Sequence, residues 1–194
     1  GALPASRAGA HHGVLASESL VAPSLPPVPA ASPSREGSST APAMAIGAKA
    51  WAQHFGEVGA EPSLPNDIDE ILESACPFWE GKQVKDTHLL VLVPATVDGK
   101  PFALDLLKEL IKRPKGGGNK TEYRYYNSDV QRELGAQSPG SSYWVLMTRD
   151  VLPDSRNKTY DAQKALVAAH ASKLGLPYEM PPALAAAATI VLHH

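Results

Sequence analysis

The apolar positions along this chain fall into three patterns, and each predicts a different kind of element. Two continuous runs stand out, "THLLVLVP" at 87–94 and "SYWVLMT" at 142–148. Runs this short and this aliphatic or aromatic read as strands buried on both faces. Elsewhere the apolar residues recur at helical spacing. Ile68, Ile71 and Leu72 follow Asn66, a capping residue type, and Asp67, Asp69 and Glu70 suit the positive end of that helix. In "FALDLLKELIKR", Phe102, Leu106, Leu107 and Leu110 share one face opposite charges. "NSDVQRELG" predicts a short helix closed by Gly135. "TYDAQKALVAAHASKLG" predicts a long one, capped by Thr159, closed by Gly175, with Leu166, Val167 and His170 on one face. Pro181 and Pro182 introduce a last, alanine-rich apolar helix. Upstream, "AKAWAQHFGEVG" places Trp51 and Phe55 four apart, a short helix over 48–59 that latches onto the domain behind it.

The third pattern has no period. Residues 1–47 are rich in Ala, Pro, Ser and Gly, and their aliphatics stand alone between prolines. Such a stretch cannot recover an ordering cost of about 1–2 kcal/mol per residue, so it reads as a disordered tail or linker. "SLPPVP" within it suits a polyproline-binding groove, although a spacer is the plainer reading. The organisation is then a tail over 1–47, a short helix and connector over 48–62, and an α/β domain over 63–194. Strands alternating with helices predict a mixed α/β fold, with a small, mostly parallel sheet flanked by helices. Two clear strands are few against an average of about five or six. The domain therefore reads as truncated, to be completed by weak strands such as "EYRYY" or by chain beyond the C-terminus. A start at Gly1 and a stop at Ile190–His194 in mid-helical pattern fit a fragment, with His193–His194 either native or tag remnants.

Composition narrows the function classes. A net charge of -2 gives no global attraction to nucleic acid or anionic membrane. A single cysteine, Cys76, excludes an internal disulfide and a cysteine-rich zinc site. No signal peptide is visible, and the longest apolar run, Ala183–Leu192, is short of the about twenty residues a bilayer requires. A cytoplasmic or host-delivered protein is expected, with no cofactor and no metal.

If the two strong strands are parallel, their C-terminal ends share one rim, where ligands of open α/β sheets gather. That rim would carry Thr96 and Asp98 from the first strand, and Thr148, Arg149 and Asp150 from the second. Arg149 can clamp a carboxylate or phosphate, and Asp150 can orient it or accept a proton. The plainer reading is a charged loop entering water. Cys76 and His88, with Asp86 as orienter, form the residue types of a thiol enzyme, but the spacing equally fits a packed corner. "KGGGNKT" fails as a phosphate loop, because its glycine spacing is wrong and it follows a helix. The same region is locally basic, and Tyr123, Arg124 and Tyr125 offer a binding surface of stacking rings and charge. The sequons at Asn119 and Asn157 matter only in a secretory route, and His170 reads as a core histidine.

"LPNDIDEILESACPFWEGKQVKDTHLLVLVPATVDGKPFALDLLKELIK", the glycine loop and "SYWVLMTRDVLPDSRNKTY" together resemble an uncharacterised module of large modular proteins from chlamydia-related, amoeba-dwelling bacteria. The resemblance covers about residues 50–194. It implies a module joined to interaction domains, with a cytosolic or host-directed role, and carries no catalytic residue over. The expectation is a non-enzymatic protein-interaction module with a protein partner. The alternative is an enzyme with its polar site at the C-terminal ends of strands 88–93 and 143–148.

Overall fold

The structure is a computed structural model that describes residues 45–116, 128–174 and 177–193. Residues 1–44 of the expected tail, and "EYRYY", lie outside them. The described residues belong to one compact unit. Its elements are β1 (Ala45–Ile46), α1 (Ala48–His54), α2 (Ile68–Glu73), α3 (Val84–Thr87), β2 (His88–Val93), β3 (Thr96–Val97), β4 (Lys100–Pro101), α4 (Leu104–Leu110), α5 (Ser128–Leu134), β5 (Tyr143–Thr148), α6 (Tyr160–Leu174) and α7 (Ala183–His193).

The main sheet has the order β1-β2-β5. β1 is parallel to β2, whereas β5 is antiparallel to it, with Val93 opposite Tyr143 and His88 opposite Thr148. The sheet is mixed, and its two long strands run in opposite senses. This corrects the expectation of a mostly parallel sheet. That expectation rested on unbroken apolar runs, which mark strands covered on both faces. β2 is covered in that way along its whole length. The cover comes from helices, however, and helical cover does not set strand direction.

Strand alternation assigns the two faces. Leu90 packs with Ile68 and Leu72 of α2 and Val84 of α3, and Trp144 and Leu146 join from β5. On the other face Val93 packs with Leu184, Ala185 and Ala188 of α7, and α4 adds Leu104 and Leu107. The 48–59 segment is a latch, as its spacing predicts. Trp51 is fully buried, its Nε1–H donates to the Leu92 carbonyl at 2.8 Å, and its ring stands edge-on to Phe102 at 5.0 Å. Ala45–Ile46, which composition places in the tail, instead pairs with Leu90 and Val91.

The Asp98–Gly99 turn joins β3 to β4 as a tight hairpin. Asp98 (φ 47°) and Gly99 (φ 74°) both occupy the left-handed region, which suits the right-handed twist of paired strands. α3 carries a reciprocal cap between Gln83 and Asp86. α6 begins where predicted, with the Ala162 amide donating to Thr159 Oγ1 at 3.3 Å.

Candidate functional site

The antiparallel pairing separates the residues expected on one rim. Asp98 lies in the hairpin beyond the C-terminal end of β2. Arg149 lies beside its N-terminal end, where its amide donates to the Thr87 carbonyl at 2.8 Å. The length of β2 intervenes, six residues or about 20 Å. The structure therefore does not bring Asp98 and Thr96 together with Arg149 and Asp150. Asp98 serves the fold. Its Oδ1 accepts the Glu57 amide at 2.8 Å, and its Oδ2 accepts Lys115 Nζ at 3.2 Å. The Glu57 amide, and then Lys115, hold this carboxyl below the usual aspartate range. Arg149 Nε donates to the His88 carbonyl at 3.2 Å, and Asp150 is exposed. Tyr123, Arg124 and Tyr125 lie outside the described residues.

Cys76 and His88 do converge, through a residue that spacing did not single out. Thr87 Oγ1 stands 3.1 Å from Cys76 Sγ and 2.9 Å from His88 Nδ1. Tyr178 Oη stands 3.5 Å from His88 Nε2. Phe78 stacks on His88 and meets His170 and Tyr178 edge-on, at centroid distances of 5.0 and 4.9 Å. Asp86 does not orient the imidazole; its carboxylate accepts the Gln83 amide. His88 is fully buried and Cys76 nearly so. Burial pushes the His88 pKa down, opposed by a hydrogen bond to the Val84 backbone. A thiol and an imidazole buried in this way, both within reach of the Thr87 hydroxyl, form a packed polar corner.

Two open features meet at the other end of β5. A cavity of about 430 Å³ opens beside Tyr143. Leu104, Leu134 and Leu184 form its apolar wall, and Gln137, Ser138 and Tyr143 its polar edge. Ser138 and Ser142 also tie the loop before β5 to the end of β2, through the carbonyl and amide of Ala95. The second feature is the outer edge of β5. The Arg149–Thr87 bond and the register direct the backbone groups of Tyr143, Val145 and Met147 towards β2. Those of Trp144, Leu146 and Thr148 then point outward, where no described strand pairs with them. Sequence reasoning assigned this strand to an interior. The signal for an edge was present only in the low strand count.

Among the described residues no cluster of His, Cys, Asp and Glu is placed to hold a metal, and no helix is long and apolar enough to cross a membrane. No family model matches the chain, and neither a curated protein nor a solved structure matches it.

Proposed function

We propose that this domain is a non-enzymatic protein-interaction module that accepts a partner strand along the outer edge of β5. One observation carries the reading: "YWVLMT" holds no charge, proline or glycine, yet only one of its edges is paired among the described residues. Folds usually protect such an edge with lysine, proline or a bulge, because bare backbone groups recruit other chains. Trp144, Leu146 and Thr148 offer the donors and acceptors that an added strand needs, so main-chain bonds would supply affinity. The enzymatic alternative loses its support once Asp98 and Arg149 lie at opposite ends of β2. A net charge of -2 disfavours nucleic acid as the partner. The resemblance to modules of multidomain bacterial proteins agrees with a tethered binding role.

Peptides selected from a displayed random library provide the probe. Amide exchange followed by NMR should be fast at Trp144, Leu146 and Thr148 and slow at Tyr143, Val145 and Met147. A bound peptide should protect the fast set. Thr148→Pro removes an outward N–H and no bond to β2, so it should keep the fold and weaken peptide binding at least about tenfold. Selected peptides that leave the three amides unprotected, or that bind Thr148→Pro equally well, would sink the proposal.

A further inference from the structure

We infer that the cavity beside Tyr143 is the specificity pocket of this interface, and that it takes an uncharged, apolar side chain of the partner strand together with one carbonyl of that partner. The inference rests on the strand-addition reading. At about 430 Å³ the cavity falls within the about 300–1,000 Å³ range of ligand pockets. Its position ties it to the edge, because Tyr143, the first residue of β5, is also part of its wall.

The lining dictates the chemistry. Among the described residues no charged side chain lines the cavity. A carboxylate or ammonium entering it would lose water and meet no counter-charge, which excludes ionised occupants. Leu104, Leu134 and Leu184 call for an apolar body. Two of the three polar groups already donate within the fold. Gln137 Nε2 donates to the Glu133 carbonyl at 2.6 Å, and Ser138 Oγ donates to the Ala95 carbonyl at 3.3 Å. The Tyr143 hydroxyl has no such partner among the described residues. Burial raises its pKa, so the phenol stays neutral and keeps its proton to donate. One donor without a partner, set at the rim of an apolar hollow, fits an occupant with one acceptor. A backbone carbonyl next to a leucine-like or phenylalanine-like side chain has that form.

The probe is N-acetyl-phenylalaninamide, with N-acetyl-phenylalanine as its anionic counterpart and phenylalaninamide as its cationic one. In NMR titrations the neutral amide should shift Ser138, Tyr143 and Leu184, and the charged analogues should bind at least about tenfold more weakly. Tyr143→Phe should weaken the neutral probe about fivefold. Ala183→Trp, at the exposed rim, should abolish probe binding and reduce the affinity of library-selected peptides. Three results overturn the assignment: equal binding of neutral and charged probes, no shifts at the cavity, or full peptide affinity in Ala183→Trp. The two readings fail separately. If Ala183→Trp binds peptides normally while Thr148→Pro does not, the pocket falls and strand addition stands. If Thr148→Pro also binds normally, strand addition falls and takes the pocket's occupant with it.

Discussion

The carboxylate of Asp98 sits against Gly56, and the fit leaves no room for a side chain there. A Cβ on Gly56 would lie 2.6 Å from Asp98 Oδ2 and 2.7 Å from its Cγ. Gly56→Ala must therefore push away a carboxylate that holds both the Glu57 amide and Lys115. The expected cost is about 1–3 kcal/mol in chemical denaturation, as for other overpacked sites. Asp98→Gly accepts the positive φ and removes the obstructing group. In that background Gly56→Ala should cost much less, and equal costs in both backgrounds would refute the contact as the cause. Sequence made the Asp98–Gly99 turn plain, because an Asp-Gly pair between short extended segments has a local steric meaning. It hid the partners of Asp98, which come from residues 41 positions away and from Lys115. A charged residue after a strand looks the same on paper whether it meets a ligand or a distant backbone amide.

Elements with a period of their own were legible. β2, β5, α4, α5, α6 and α7 appear where apolar spacing placed them, since each is six residues or longer, enough to show a repeat of two or of 3.6. β1, β3 and β4 are two residues long and α3 is four, too short to carry any period, and none was read from the sequence. The α1 latch was readable as a face, but its depth was not. Trp51 is fully buried, touches Phe102 and Phe55, and satisfies the Leu92 carbonyl next to the two-residue β1. Trp51→Ala should cost about 3–5 kcal/mol through cavity and transfer terms. Trp51→Phe keeps much of the apolar bulk but strands the carbonyl, and should cost about 1–3 kcal/mol. Urea unfolding of both variants checks the order. A latch that merely rests on the surface would show neither loss.

At the scale of the whole molecule, strand direction was the feature that sequence could not supply. Direction depends on how the 49 residues between Val93 and Tyr143 are routed, and no local pattern encodes that. Once β5 runs against β2, the end of β5 returns to the start of β2, and His88 becomes the junction of several distant parts. Phe78 stacks on it and meets His170 of α6 edge-on, Tyr178 approaches its Nε2, Arg149 holds its carbonyl, and Thr87 links it to Cys76. Among the described residues the groups facing the ring are a phenyl, a phenol and a hydroxyl, with the Arg149 cation on the backbone. None of them offers a carboxylate to a charged imidazole. Desolvation lowers the His88 pKa in the folded state, so below the ordinary value near 6.5 the unfolded chain binds more protons than the native one. Stability should be fully present above that pH, decline as pH falls below it, and level off once the folded-state value is passed. The lowered pKa of Asp98 adds a separate loss that begins only near the ordinary aspartate value, about 4. The single thiol reports on the junction directly, because Cys76 is buried beneath Thr87 and Phe78 belongs to the same corner. Its labelling is best compared at pH 7.5 and 5.5 under mild denaturant, with rates corrected for the intrinsic pH dependence of a model thiol. Wild type should show a relative acceleration at the lower pH that His88→Gln, which cannot charge, lacks. A corrected rate that is the same at both pH values in wild type would mean that His88 does not close this corner.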